Sequence, residues 1–450
     1  MKTLVYNIGL SLLILITVGT RNTVVYAISL ADVSESAVAH SVELQKQAKR
    51  IEALACEVTI ATSELYPRLD AQYSASYTDY AVSGRDPLAN INVGMTPVLV
   101  YPFQPSRYKN GADITLTQIL FAGGKIMATI DLAKSQLEQS KIDYQIAQDQ
   151  LLSSVAERYW KWICSIAEVN YYKSALDKTV GQNQSAQVRQ QEGQTTPVQD
   201  LELGVLIANV TEDLLNAQTQ STAAQKDLEK ITHLSLSTSQ NISIRSSAEI
   251  KKAWQRLNGL SGIQLEQQKQ VCVIEGKKLQ QRIQDSRFFP EISFQSAVNY
   301  FNLDNSKFSF DHLNYGNLYA GVTVQWNIFN GFKDLSLSRK SKLETEIAEL
   351  ELTLQQDTAA IELSHLTTTV ETAIKDVDRT ERSKLLAEKT YEVQAQKYSA
   401  HQLSKNQLAD SKDLLQKSVL NYTKAAISAE MALINWSKEK HVMLKYMEQR

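Results

Sequence analysis

The chain is poor in the residues that interrupt helices. Its 450 residues include only 16 Gly and 7 Pro, and four of the prolines, Pro87, Pro97, Pro102 and Pro105, fall in one short segment. Elsewhere, little stops a helix from running for tens of residues. Cysteine is scarcer still. Cys56, Cys164 and Cys272 are odd in number and lie on helical stretches, which excludes a disulfide framework. All three read as small buried or half-buried residues. Neither sign of charge prevails, with 47 Lys and Arg against 49 Asp and Glu, so no nucleic-acid footprint shows. Beyond the N-terminus there is no run of 18 apolar residues to cross a membrane as a helix. Barrel strands escape that test, because their lipid-facing and lumen-facing residues alternate.

The N-terminus reads as a secretory signal. Lys2 precedes an apolar run from Leu4 to Val18, and Val25-Tyr26-Ala27 places small residues at a cleavage position. Residues 1–27 are expected to be removed, so that the exported chain starts at Ile28. Removal takes away Lys2 and Arg21 and leaves 45 positive against 49 negative groups.

One event happens twice. Ile114, Leu116 and Leu120 fall on one side of a two-residue alternation, with Asp113, Thr115 and Thr117 on the other, as in a half-buried strand. Gly123-Gly124 breaks that period. Ile126, Ile130, Ala133, Leu137, Ser140, Tyr144, Ala147 and Leu151 then follow a 4-3-4-3 helical seam. About two hundred residues later, Ala320, Val322, Val324, Trp326 and Ile328 alternate with Gly321, Thr323, Gln325 and Asn327. Phe329-Asn330-Gly331-Phe332-Lys333 lies over Phe121-Ala122-Gly123-Gly124-Lys125. A second seam follows at Leu343, Ile347, Leu350, Leu354 and Ile361, interrupted by Asp357. A strand that becomes a very long helix, made twice, indicates internal duplication.

The elements before each event repeat too. A polar helical stretch from Ile28 to Glu64 ends at Pro67 and gives way to a strand through Tyr73, Ala75 and Tyr77. Phe289-Pro290-Glu291-Ile292 echoes Tyr66-Pro67-Arg68-Leu69 and opens the strand through Phe294, Val298 and Tyr300. Residues 79–110 read as a loop, as do residues 302–316. The outgoing helical arms run from about Ile126 to Gln190 in the first repeat and to about Tyr398 in the second. The return seams are Leu203, Ile207, Val210, Leu214, Ala217, Ser221, Ala224, Leu228 and Ile231, then Leu408, Ser411, Leu415, Ser418, Tyr422, Ala425, Ala429, Ala432 and Trp436. Residues 28–233 form the first repeat, residues 234–249 a linker that loses the helical pattern, and residues 250–450 the second repeat.

Four strands cannot close a barrel, and an open sheet in lipid exposes unsatisfied edges. Several chains must therefore pool their strands, and the long hairpins must bury their seams against copies of themselves. Both requirements point to a cyclic homo-oligomer.

This order of elements resembles the TolC family of outer-membrane efflux proteins over essentially the whole exported chain. The signal, the Tyr-Pro-Arg-Leu and Phe-Pro-Glu-Ile motifs, the Leu-Phe-Ala-Gly-Gly and Ile-Phe-Asn-Gly-Phe corners and the duplicated hairpins carry the resemblance. It implies a mainly α protein with transmembrane β structure. Three chains would build a twelve-stranded outer-membrane β-barrel, continued by a periplasmic α-helical barrel of long coiled-coil hairpins. It implies an exit duct that performs no chemistry and needs no cofactor. The implied partners are a periplasmic adaptor protein, an inner-membrane transporter and outer-membrane lipid. A duct of a type I protein-secretion system is the alternative within the family. A secreted structural coiled-coil protein without a pore is the rival from another class, though it has no use for alternating strands beside Pro and Gly corners.

The resemblance also places sites. The pore gate falls on Tyr398, Gln407 and Asp410, where Gln407 replaces the first acid of the family pattern. The adaptor-contacting tips fall on Gly193, Gln194 and Thr195 and on Ala400, His401 and Gln402. Phe121, Gly123, Gly124, Phe329 and Gly331 form strand-to-helix corners, and Pro67 and Pro290 the helix-to-strand corners. Gly123-Gly124-Lys125 is not a phosphate loop, since Ile119 stands where the upstream Gly belongs and no Ser or Thr follows. His40, His233, His312, His365, His401 and His441 show no metal spacing, and no nucleophile–base motif is present. His365, on the seam side, reads as a packed helix residue. Trp326, Tyr73, Tyr77 and Tyr319 fit lipid-facing or interfacial aromatics, or ordinary strand residues.

Overall fold

A computed structural model describes residues 29–77, 89–93, 96–100, 108–191, 197–236, 244–260, 264–304 and 315–448. The signal segment lies outside them. The first repeat runs α1 (Leu30–His40), α2 (Val42–Ser63), β1 (Arg68–Tyr77), β2 (Ala89–Val93), β3 (Thr96–Val100), β4 (Tyr108–Ala122), α3 (Lys125–Gln191) and α4 (Pro197–Thr232). The second runs α5 (Ser247–Asn258), α6 (Leu265–Asp285), β5 (Glu291–Asp304), β6 (Tyr315–Gln325), α7 (Lys333–Ser399) and α8 (Lys405–Glu439), and closes with the short α9 (Met443–Met447). A one-turn 3-10 helix at Ser286–Phe288 precedes β5.

Several features differ from the sequence expectation, Cys56 among them, which is exposed rather than buried or half-buried. The stretch expected to be a loop at 79–110 contains the β2–β3 hairpin, and β4 already begins at Tyr108. The stretch taken as linker ends in α5, which starts with a complete capping box. Ser246 Oγ accepts from the Glu249 N–H, and Glu249 Oε2 accepts from the Ser246 N–H at 2.8 Å. Apolar spacing alone does not announce a helix of three turns, so the cap was its clearest sequence signal.

The four long strands form one antiparallel sheet in the order β1-β4-β5-β6. The duplication thus places the two repeats side by side, with β1 and β6 as open edges. The helices pack as a row of rods. Next to the strands the packing runs α2–α3–α6–α7, and at the far end α4–α3–α8–α7. At ~1.5 Å per residue, the 67-residue α3 and α7 each extend about 100 Å and are shared by both bundles.

Both return seams are buried or half-buried at every position named above. The α7 seam behaves differently. Leu343, Ile347, Leu350, Leu354 and Ile361 all stand exposed, while Ser341, Thr345 and Ala348 face α6. α7 lies at the margin of the chain, and its apolar stripe faces outward, where only another copy can cover it. His365, expected to be packed, also stands exposed in the single chain. The main core sits midway along the rods. There Trp160, Trp162 and Ile163 of α3 join a core shared with α1, α8 and α9, α5 packs on α7 and α8, and Trp254 stacks edge-on to Trp436 at 4.9 Å.

Candidate duct wall and gate

The strand register sorts side chains onto two faces, because directly opposed residues share a face. Leu69, Leu116, Ser296 and Ala320 form one row. Ala71, Ile114, Val298 and Leu318 form the next, and Phe294 pairs with Val322 further down. On the opposite face the rows are Asp70, Thr115, Ala297 and Tyr319, then Gln72, Asp113, Asn299 and Asn317. One face is apolar and the other polar, as lipid and lumen demand. Ten strand residues at ~3.4 Å, tilted about 40°, give a band near 25 Å tall. Tyr73 and Tyr77 lie on the apolar face, and the Tyr77 ring meets Tyr108 at 5.0 Å. Tyr319 lies on the polar one. Trp326 follows β6, and its ring N–H donates to the Phe288 carbonyl at 3.2 Å.

At the first strand-to-helix corner Gly123 and Gly124 have φ of 60° and 83°; at the second, Gly331 and Phe332 both have 67°. The repeats share a double left-handed corner, and Phe332 holds it without the freedom of glycine. A Cβ on Gly123 would lie 2.7 Å from the Ser286 carbonyl oxygen and 2.9 Å from Phe289 Cβ, so this corner also packs against the turn before Pro290. Phe121 pairs with Ile292 just past a register shift, and Phe329 meets Phe332 edge-on at 5.4 Å. Asn330 Oδ1 accepts from the Asp334 N–H and starts α7. Pro67 and Pro290 each stand one residue before a strand.

At the far end, Gly193, Gln194 and Thr195 lie outside the described residues. The second tip closes α7 with a Schellman motif. His401 adopts φ 59°, its N–H donates to the Tyr398 carbonyl at 2.9 Å, and the Gln402 N–H donates to Lys397 at 2.9 Å. Ala400 is the C-cap. Gln407 completes a capping box with Ser404, accepting from the Ser404 N–H at 3.1 Å, so its side chain is committed to starting α8. Tyr398 is exposed.

Asp410 faces α3. Lys178 Nζ lies 3.0 Å from Asp410 Oδ1 and 3.2 Å from Asp413 Oδ2, and Gln182 donates to Asp410 at 3.4 Å. One lysine of the first repeat is therefore held between two acids one turn apart on the second.

A sequence profile of the family described as outer membrane efflux protein matches residues 33–232. Solved structures match nearly the whole chain. The CmeC outer membrane channel of Campylobacter jejuni aligns at a TM-score of 0.72 and 15% identity, over 93% of this chain and 88% of its own. The outer membrane protein VceC of Vibrio cholerae gives 0.68 and 16%, over 90% and 95%. The open state of the MtrE outer membrane channel of Neisseria gonorrhoeae gives 0.70 and 12%, over 92% and 89%. Residues 33–232 thus match the outer membrane efflux protein family, and nearly the whole chain shares the fold of these outer-membrane channels. No curated protein matches it by sequence. The solved neighbours are outer-membrane channels, and this chain has their fold of one four-stranded sheet continued by long helical rods.

In this chain the acid at 410 does not stand alone. Burial opposes the charge of Lys178, but hydrogen bonds to Asp410 and Asp413 and their charges outweigh it and hold its pKa above the ordinary lysine value. Lys178, Gln182 and Asp413 had no signal in the sequence. They are polar residues on long helices, and Lys178 is 235 positions from Asp413. Only the packing of α3 on α8 brings them together.

Proposed function

We propose that the protein is the outer-membrane exit duct of a tripartite efflux system, passively conducting small molecules delivered by an inner-membrane transporter through a periplasmic adaptor. The observation that carries this reading is the two-faced sheet with two open edges, continued by rods of about 100 Å whose outer apolar seam is uncovered. Three copies satisfy both the edges and the seams and leave a water-lined path. The adaptor docks at the tips formed by residues 193–195 and 400–402. The gate lies beside Tyr398, Gln407 and Asp410, and the lysine latch on Asp410 holds α8 against α3 in the closed state. Because Lys178 offsets much of the carboxylate charge, the closed duct is less cation-selective than a ring of free acids would make it.

Single-channel recording in a planar bilayer tests the reading, with wild type beside Asp410→Ala. Small currents that enlarge in the variant support a duct gated near residue 410. Unchanged currents move the gate elsewhere. Well-folded trimers that never conduct overturn the duct.

A further inference from the structure

The polar face of the sheet carries an exposed tyrosine. Among the described side chains of the regular ladder, this face holds two aromatics, Phe301, half-buried with Lys109 over its ring, and Tyr319, which is 47% exposed and falls in the row of Asp70, Thr115 and Ala297. It therefore faces the barrel lumen. Its ring is also placed. A Cβ on Gly321, two residues on and on the same face, would lie 2.5 Å from Tyr319 Oη, 2.9 Å from Cζ and 3.4 Å from Cε2. The ring thus lies flat along β6 on the bare backbone of Gly321, with its hydroxyl toward the periplasmic end, from which permeants arrive. The neighbour across the ladder is Ala297, so the ring is not walled in on that side. Asn317, Gln295 and Asn299 supply amide groups around it.

We infer that Tyr319 is a stacking platform in the barrel lumen for planar aromatic cations. An exposed π-face between two small residues accepts a flat ring by offset stacking, and the ring quadrupole favours a cation. Charge on the same wall agrees. Among the described strand residues the lumen face carries the carboxylates of Asp70, Asp113 and Glu291 against the cations of Arg68 and Lys109. Three protomers present three such platforms at one height, about midway along the strands. The inference rests on the duct reading and adds a preference among the molecules conducted.

The probe is proflavine, a planar aromatic cation. Two measurements are made: fluorescence titration of purified detergent-solubilised trimers, and proflavine-induced interruptions of the single-channel current. Tyr319→Ala is expected to weaken binding and shorten the interruptions by about two- to tenfold, the range that one aromatic pair supplies. Tyr319→Phe keeps both. Gly321→Ala lowers both by pushing the ring off the wall, and Tyr73→Ala, on the lipid face, changes neither. Intact trimer and melting temperature show that each variant is folded. Equal binding by Tyr319→Ala and wild type overturns the platform while leaving the duct standing. Tyr319-dependent binding by trimers that never conduct overturns the duct and keeps the aromatic site.

Discussion

Replacing Lys178 by Met is expected to loosen the far end of the helical barrel. The lysine side chain is 22% exposed, Asp413 30% and Asp410 61%. The Asp410 pair is therefore largely screened and contributes only about 0–1 kcal/mol. The half-buried, charge-assisted bond to Asp413 contributes about 1–1.5 kcal/mol. Together they favour the packed position of α8 on α3 by roughly 1.5 kcal/mol per chain, about a tenfold bias at 25 °C. The substitution also leaves two like charges one turn apart on α8, which adds to the effect. Lys178→Met should raise the fraction of time spent in large-conductance states about tenfold at low salt and less at high salt, where the exposed half of the latch is screened. Lys178→Arg should stay near wild type. The raised lysine pKa sets the pH behaviour: its contribution is complete below the unfolded lysine value and is lost only as pH rises through the higher folded one, so pH 6 and pH 8 should give the same latch. Folded Lys178→Met trimers with wild-type opening at low salt would refute the reasoning.

Three further outcomes follow from particular contacts. Gly123→Ala should cost about 3 kcal/mol, from positive φ plus the clash with Ser286 and Phe289, whereas Gly124→Ala, with open space around it, should cost about 1–2 kcal/mol; denaturant unfolding of the two variants separates strain from packing. Arg245→Met removes the cation 3.8 Å from Glu430, a carboxylate only 2% exposed that also accepts from the Tyr446 hydroxyl at 2.8 Å, and should destabilise the central belt by about 3 kcal/mol, read as a lower melting temperature. Burial, with Glu266 and Glu362 facing it, raises the Glu439 pKa against the opposing pull of His441 and Lys438. A raised acid costs stability as pH climbs from its unfolded value through its folded one, so Glu439→Gln should raise the melting temperature at pH 8 and leave it unchanged at pH 4.

Sequence patterns were enough for the long elements and their duplication, though not for the β2–β3 hairpin or α5. Helices of 67 residues follow from scarce Gly and Pro and a sustained seam, and the arm limits fell within a residue or two of those observed. The corners were legible because Gly123, Gly331, Pro67 and Pro290 are demanded by local backbone geometry. The double left-handed turn at Phe332 was not, since nothing in a Phe announces positive φ. Tertiary structure alone decided which seam stays uncovered. Leu343 to Ile361 look as ready for burial as Leu203 to Ile231, yet α7 ends the row of rods and its stripe faces outward. It also decided the electrostatic state of the gate candidate. Asp410 looks like a free surface acid until α3 packs beside it and supplies Lys178. Likewise, Tyr319 joined Tyr73 and Tyr77 in a list of strand aromatics until register put it on the other face. Local signals reach as far as a turn or a strand, whereas charge pairing and facing depend on contacts between residues hundreds of positions apart.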